Sequence, residues 1–128
     1  MLGGEAAVDY SLANRTLLFD LDRHDWSDEL LGLAQLDREK LPRTVPAGEI
    51  SGTVLPQIAD RLGLPREVVI VSGGQDQCCS GVGCGVIEPG RAMYVIGTYI
   101  CMMPVYTQRR PAPVMLARGL NTEHHAAP

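Results

Sequence analysis

The chain has 128 residues, of which 45% are hydrophobic and 20% are charged, and its formal net charge is −4. This length and composition are typical of one globular domain rather than a disordered chain. Only 5% of the residues are aromatic and the net charge is negative. We therefore expect no nucleic acid partner, because few aromatic side chains are present to stack on bases and no excess of basic side chains is present to bind phosphates. No apolar run approaches the ~20 residues that cross a bilayer, so we expect a cytoplasmic protein without membrane contact.

The first half of the chain predicts one strand and two helices. Residues 17–21 (LLFDL) are expected to form a strand. Ser27, followed by two acids, marks the start of a short amphipathic helix. After a linker over 37–52 that contains two prolines and two glycines, a second helix is expected to begin at Thr53 and to end at Gly63. The apolar residues of the first helix are Leu30, Leu31, Leu33, Ala34 and Leu36.

The second half predicts a buried strand, a helix and further strands. The branched run at 68–72 is typical of a strand that is buried on both faces of a parallel or mixed sheet. The next segment, 76–86 (DQCCSGVGCGV), is expected to be a helix whose small residues allow close packing. Residues 91–106 predict one long strand or a strand pair, interrupted at Gly97-Thr98. From Thr107 onward the chain shows no period and is expected to be irregular. This order of elements indicates an α/β fold.

The four cysteines are the first candidates for special chemistry. They are Cys78, Cys79, Cys84 and Cys101. Their spacing matches neither a disulfide framework nor the ligand pattern of a zinc module. We therefore expect no metal site, and cysteines that pack as small buried hydrophobic residues in a reducing cytosol.

Asp76 is the strongest candidate for a functional side chain. It follows the predicted strand 68–72 and opens the next helix. Ligands of open α/β sheets bind at the carboxyl ends of the strands, and Gly73 and Gly74 would allow a tight turn there. Local sequence nevertheless supports two interpretations of Asp76 equally, a helix N-cap or a catalytic carboxylate. The stretch is not a phosphate loop, because neither G-x-x-x-x-G-K-[ST] nor G-x-G-x-x-G opens here.

Two further polar clusters remain open from local sequence. Gly97-Thr98, at a strand end, is either an anion-binding turn of amides and a hydroxyl or an ordinary hairpin turn. The run DYSLANRT, residues 9–16, is either a ligand-facing cluster or a solvated loop in which Asp9 and Ser11 satisfy neighbouring backbone amides. Arg15 could pair with a local carboxylate.

Taken in order, these clusters resemble the FGGY family of carbohydrate kinases. The run DYSLANRTLLFDLDRHDWSDELL is similar to the family's D-x-[ST]-x-A-[SN]-R-T motif with its following strand and helix. The segment LPRTVPAGEISGTV resembles the family linker, and GGQDQCCSGVGCGVIEPGRAMYVIGT resembles its G-G-x-D-[NQ] segment and the strand ending in G-T. The resemblance is collinear from about Gly3 to Met103.

The resemblance implies a fold and a set of site residues. The fold would be the ribonuclease-H-like fold of the actin-like ATPases, with residues 1–106 as the later half of a first domain and 107–128 as an irregular tail toward an ATP-binding domain. Asp76 would be the general base toward a sugar or polyol hydroxyl, and Gln77 would contact the substrate. Gly97 and Thr98 would meet the nucleotide phosphates. The cofactors of the family are ATP and Mg²⁺.

The resemblance also implies missing parts. Family members are several times longer, begin with a D-x-G-[ST] hairpin that handles magnesium and phosphate, and carry a second domain with most of the ATP pocket. We therefore expect a partial kinase chain that is inactive by itself and binds neither ATP nor Mg²⁺ tightly. The alternative is a non-catalytic carbohydrate-binding or regulatory module. Because the strand at 68–72 is expected to be central, exposed sheet edges predict self-association or poor solubility.

Overall fold

The computed structural model describes residues 2–127 as a mixture of short strands and short helices. A single turn of 3-10 helix, Arg38–Lys40, precedes the fourth strand. Within residues 2–127, no helix has the length and apolar character needed to cross a membrane. In chain order the elements are β1 (Ala7–Asp9), α1 (Tyr10–Asn14), β2 (Phe19–Asp20), β3 (Asp25–Trp26), α2 (Asp28–Ala34), β4 (Arg43–Val45), β5 (Ile50–Thr53), α3 (Pro56–Leu62), β6 (Val69–Val71), α4 (Asp76–Gly83), β7 (Ala92–Ile96), β8 (Ile100–Pro104) and α5 (Ala112–Ala117).

The described strands form four pairs. β1 and β4 are parallel, with Asp9 opposite Val45. The pairs β2–β3, β5–β6 and β7–β8 are antiparallel. The parallel pair places Asp9 at the carboxyl end of β1, directly before α1, and this is the edge of a sheet where α/β proteins collect polar side chains.

The hydrophobic core joins the first two helices to the β2–β3 hairpin. Ala13, Phe19, Trp26 and Leu31 form one buried cluster. The rings of Phe19 and Trp26 meet edge to face with centroids 6.3 Å apart. The indole N–H of Trp26 donates to the carbonyl oxygen of Pro42 at 2.8 Å, so the linker before β4 is tied to the same core. Burying the apolar body of a tryptophan while satisfying its N–H is the usual arrangement for this side chain.

The helix that was predicted to start at Ser27 is confirmed, but its apolar stripe is not. The Ser27 hydroxyl oxygen accepts the N–H of Leu30 at 3.3 Å, as expected of an N-cap. Only Leu31 of the predicted stripe is buried, whereas the Leu33 side chain is 76% exposed. Of the predicted stripe, only Leu31 therefore packs in the core.

The predicted helix start at Thr53 is wrong. Thr53 ends β5 and pairs with Val69 of β6, and α3 begins at Pro56. Proline is favoured at the first helical position because the missing N–H would have no partner there. The predicted end is confirmed, since Gly63 caps α3 with a left-handed φ of 66°.

The strand predicted at 68–72 exists, but its expected surroundings do not. β6 pairs antiparallel with β5, not within a parallel or mixed sheet buried on both faces. Val69 and Val71 remain 45% and 50% exposed. Alternate side chains of a strand point to opposite faces, and the face that carries these two valines is therefore only half covered. Self-association through this surface stays a prediction.

The last third of the described chain is more ordered than predicted. The expected strand pair is confirmed as β7 and β8, with Ile96 opposite Ile100 around a turn at Gly97 and Thr98. The segment from Thr107, which was expected to be irregular, contains α5, flanked by Pro111 and the left-handed Gly119. Its Ala, Met and Leu residues are good helix formers. The division into a domain over 1–106 and a tail over 107–128 stays a prediction.

Replacing the one buried leucine of α2 tests this description of the core. We expect Leu31→Ala to lower the free energy of unfolding by about 2–5 kcal/mol, because a cavity replaces a packed side chain. Leu33→Ala, on the same helix but exposed, should change it by less than about 0.5 kcal/mol. Urea unfolding followed by Trp26 fluorescence measures both, and equal losses in the two variants would contradict the packing described here.

Candidate functional site

The turn before α4 holds Asp76, and Asp76 is not the cap of that helix. The N-cap is Gln75, whose Oε1 accepts the N–H of Cys78 at 3.0 Å. Asp76 is the first helical residue and is exposed. Its Oδ1 accepts the N–H of Gln77 at 2.8 Å and a hydrogen bond from the Gln75 side-chain amide. Of the two interpretations left open by sequence, the N-cap is therefore excluded.

Gln75 is the residue that sequence reasoning missed. Its side chain both caps α4 and holds one oxygen of Asp76, while its backbone N–H donates to the hydroxyl oxygen of Ser11 at 2.8 Å. Glutamine is not among the residues preferred as N-caps, so local pattern could not have singled it out. The only signal available was its position between the paired glycines and Asp76.

Gln77 lies beside a cavity of about 540 Å³. Gln75 and Gln77 line it together with residues of β8, and Asp76, Gly97 and Thr98 do not. The Gln77 Oε1 atom is buried and has no hydrogen-bond partner among the residues that the structure describes. The structure thus brings Gln77 to a partly open cavity and leaves Asp76 at the surface outside its lining.

Gly97 and Thr98 form the exposed tip of the β7–β8 hairpin. A Cβ at Gly97 would meet only the carbonyl oxygen of Tyr99, at 4.0 Å, so a ligand could approach the backbone closely. The Gly97 N–H, however, already donates to that same carbonyl at 3.2 Å. A phosphate-binding turn needs free amides, so the Gly97 N–H is not available in this conformation, and phosphate binding by Gly97 and Thr98 stays a prediction.

Residues 9–16 are not a solvated loop. Asp9 and Ser11 are 2% and 1% exposed. Asp9 caps α1: its Oδ2 accepts the N–H of Ser11 at 2.8 Å, and its Oδ1 accepts the N–H of Leu12 at 3.2 Å. The expected local amide bonds of Asp9 are confirmed, but Asp9, Ser11 and Ala13 are buried because the segment continues from the parallel strand β1 into α1, one face of which lies against the core.

The segment 121–127, expected to be part of a loose tail, packs against α1 and α4. Arg15 pairs with Glu123 at 2.6 Å rather than with a local carboxylate, and the Asn14 side-chain amide donates to the Thr122 carbonyl at 3.0 Å. A Cβ at Gly81 would lie 3.6 Å from the imidazole Nε2 of His125. This distance is ordinary van der Waals contact, and the group that a side chain at Gly81 would overlap is the terminal methyl of Met103 in β8.

The four cysteines differ in burial, and two of them, Cys78 and Cys79, lie in α4. Cys78 is 2% exposed, and burial together with the nearby Glu123 carboxylate raises the pKa of its thiol to about 12. Cys79 and Cys84 are exposed and Cys101 is half-buried. The prediction that the cysteines are buried packing residues is therefore confirmed for Cys78 and wrong for Cys79 and Cys84, because only one face of this short helix is covered.

His124 joins an aromatic cluster at the end of the same segment. Its ring centroid lies 4.5 Å from that of His24 and 5.4 Å from that of Tyr10, and its Nε2 is 3.1 Å from the carbonyl oxygen of Leu21. The pKa of His124 is lowered, mainly by burial and further by the nearby charges of His24 and Arg109. The hydrogen bond with the Leu21 carbonyl and the charge of Asp22 act in the opposite direction but do not cancel this lowering. The neutral imidazole is thus the form that fits.

Comparison with known proteins points to one class of enzyme. Residues 1–83 match the model of the N-terminal domain of the FGGY family of carbohydrate kinases. The chain is 37% identical to xylulose kinase of Klebsiella pneumoniae over 95 residues, 74% of this chain and 20% of that protein. It is 35% identical to gluconokinase of Bacillus subtilis over 97 residues, 76% of this chain and 19% of that protein.

A solved structure agrees with the sequence matches. The crystal structure of a xyloylose kinase from Brucella ovis superposes with a TM-score of 0.67 at 31% identity, covering 71% of this chain and 19% of that one. The chain thus spans about a fifth of the length of the curated relatives it matches.

Alkylation of neighbouring cysteines tests the burial of Cys78. With iodoacetamide at mildly alkaline pH, we expect Cys79 to be labelled readily and Cys78 to be almost unlabelled, because only the exposed thiol is accessible and the raised pKa of Cys78 suppresses its thiolate. Peptide mass spectrometry measures both sites in one sample. Denatured chain serves as the control, and labelling of Cys78 as fast in the native state as in the denatured state would contradict its burial.

Acidification tests the docking of the 121–127 segment. Since the pKa of His124 is lowered from 6.5 in the folded state, its contribution to stability is present above that value and is lost as the pH falls below it. We expect the amides of 121–127 to exchange hydrogen faster as the pH drops through this range, after correction for intrinsic rates. His124→Gln should remove the acid-dependent step, and a step that persists in that variant would assign the effect elsewhere.

Proposed function

Because the chain belongs to the FGGY family of carbohydrate kinases, we propose that it contributes the hydroxyl-activating part of a sugar or polyol kinase, with Asp76 as the general base. The general activity of the family is ATP-dependent phosphoryl transfer to a carbohydrate. The observation that carries the proposal is the position of Asp76: it is exposed in the first turn of α4, just after β6, and one of its carboxylate oxygens is held by Gln75.

The predicted fold class agrees with this family. The chain has an α/β fold, and its likeness to solved sugar kinases places it in the ribonuclease-H-like, actin-like ATPase class. That residues 1–106 are the later half of a first domain is part of the proposal. The match of residues 1–83 to an N-terminal domain supports it.

The geometry suits a carboxylate that orients a hydroxyl and then takes its proton. The transition state of phosphoryl transfer is loose, so the attacking hydroxyl needs mainly to be positioned. The bonds from the Gln75 side chain and the Gln77 N–H fix the orientation of the Asp76 carboxylate. We propose Gln77, next along the helix and beside the cavity, as a substrate contact.

ATP with Mg²⁺ supplies the phosphoryl group in this family, and the residues described here do not fit that group by themselves. The Gly97 amide is used inside its hairpin. Among residues 2–127, no three His, Cys, Asp or Glu side chains stand together as a metal site. Stabilising the charge on a transferring phosphoryl group takes several preorganised donors or cations. We therefore expect this chain alone to bind ATP and Mg²⁺ weakly and to transfer no phosphate.

A second candidate function is carbohydrate binding without catalysis, in a regulatory or accessory role. The cavity beside Gln77 favours this function, because its lining combines polar side chains with methionines and a sugar could bind there without a nucleotide. Both functions predict sugar binding, but only the first assigns a role to the Asp76 carboxylate.

Sugar binding by two aspartate variants tests the proposal. D-xylulose and D-gluconate are the probes, since xylulose kinase and gluconokinase are among the relatives. We expect Asp76→Asn to weaken binding of the better probe about tenfold in calorimetric titration, because a charged hydrogen bond to a hydroxyl is lost. Asp28→Asn is the matched control, since Asp28 is an exposed aspartate at the first position of α2, and it should bind as the unaltered chain does.

The outcomes separate the candidates. Equal affinity of the unaltered chain and Asp76→Asn would favour the non-catalytic module, and binding of neither sugar by any variant would refute both functions for these substrates. Sugar-dependent ATP turnover by the purified chain that Asp76→Asn abolishes would confirm the base but refute the expected inactivity.

A further inference from the structure

A buried polar connection joins α1 to the turn that carries Asp76. The Ser11 hydroxyl donates to Oδ2 of Asp9 at 2.5 Å, and the backbone N–H of Gln75 donates to the Ser11 oxygen at 2.8 Å. Both Asp9 and Ser11 are almost fully buried. The second bond spans 64 residues of sequence, so it links two segments that local structure alone would leave independent.

The direction of these bonds is determined by chemistry. An ionised carboxylate can only accept, so the single proton of the Ser11 hydroxyl points to Asp9. The lone pairs of the hydroxyl oxygen are then free for the N–H of Gln75, and the neighbouring charge strengthens the chain of bonds. A serine without Asp9 could rotate its proton toward Gln75, where it would face another donor.

The packing around Gly74 keeps the turn against this hydroxyl. A Cβ at Gly74 would lie 3.0 Å from the Cys79 sulfur and 3.4 Å from the Ser11 hydroxyl oxygen. The first of these distances is tighter than nearly all real Cβ contacts. The backbone preceding Gln75 is thus close to both α1 and α4. A shift of this turn would change its distance to the Ser11 hydroxyl.

We propose that Asp9 and Ser11 are positioning residues for Asp76, acting through Gln75. Asp9 fixes the Ser11 hydroxyl, Ser11 fixes the Gln75 backbone, and the Gln75 side chain holds the Asp76 carboxylate while it caps α4. The inference rests on the proposed role of Asp76. It goes beyond that role because capping α1 requires only the bonds of Asp9 to the amides of Ser11 and Leu12, and the Ser11 hydroxyl is not needed for it.

Three variants of the full 128-residue chain test the connection. Ser11→Ala removes the hydroxyl, and Asp9→Asn keeps the shape but loses the charge that orients it. Ser51→Ala is the matched control: Ser51 is also buried, and its hydroxyl donates to the carbonyl oxygen of Ile70 at 3.3 Å without touching Gln75. Thermal unfolding measures the global stability of the three variants. Local effects on the turn are then compared between variants of similar stability.

The deciding measurement is made at the Gln75 amide by NMR. We expect Ser11→Ala and Asp9→Asn to speed hydrogen exchange of this amide about tenfold relative to the β1–β4 amides, and to move its proton resonance upfield, as loss of one hydrogen bond requires. Ser51→Ala should leave both quantities unchanged. If the Gln75 amide responds no more in Ser11→Ala than in Ser51→Ala, Ser11 is merely structural and the proposal fails.

Titration with D-xylulose and D-gluconate separates this proposal from the proposed function. We expect Ser11→Ala to weaken binding of whichever sugar the unaltered chain binds severalfold, and Ser51→Ala to leave it unchanged; equal affinity in Ser11→Ala would overturn the positioning role. If the unaltered chain binds neither sugar, the proposed function fails for these substrates. The response of the Gln75 amide then still decides whether Ser11 positions the turn.

Discussion

The hydrogen bond from the Gln75 backbone to the Ser11 hydroxyl is the constraint on which the candidate site depends. One end lies in a segment that a parallel strand pair and the core hold in place. The other lies in a glycine turn that has no core of its own. A buried serine oriented by a buried carboxylate is a stiff anchor, because the amides of Ser11 and Leu12 hold the Asp9 carboxylate in place and a displaced Ser11 hydroxyl would leave the Gln75 N–H without this partner. The position of the Asp76 carboxylate therefore depends on residues far from it in sequence.

The C-terminal segment adds a second set of long-range ties on the same face. The Arg15–Glu123 pair is partly exposed and contributes little to stability by itself. Its consequence is local: it places the Glu123 carboxylate beside the Cys78 thiol, where that charge adds to burial in raising the pKa of the thiol. The helix α4 is thus contacted by two segments that are distant in sequence: α1 contacts its start, and residues 121–127 pack along its length.

Some elements could be predicted because their determinants are local. Ser27 at a helix start and Gly63 at a helix end act through the backbone groups nearest to them. Other predictions failed because partners decide them. Thr53 became a strand residue since Val69 was available to pair with it, and Cys79 is exposed because the helix that carries it is covered on one face only.

The sequence by itself determined the family: three motifs in the right order resemble carbohydrate kinases, and the family match agrees. It also identified Asp76 as the residue to consider, yet left it balanced between a cap and a ligand-facing carboxylate. The structure removed the cap interpretation by making Gln75 the cap, and the catalytic role of Asp76 stays a proposal. It also joined Asp9 and Ser11 to that turn. The physical reason is that a buried hydrogen bond between segments 64 residues apart depends on which groups meet in space, and a pattern along one chain does not contain that information.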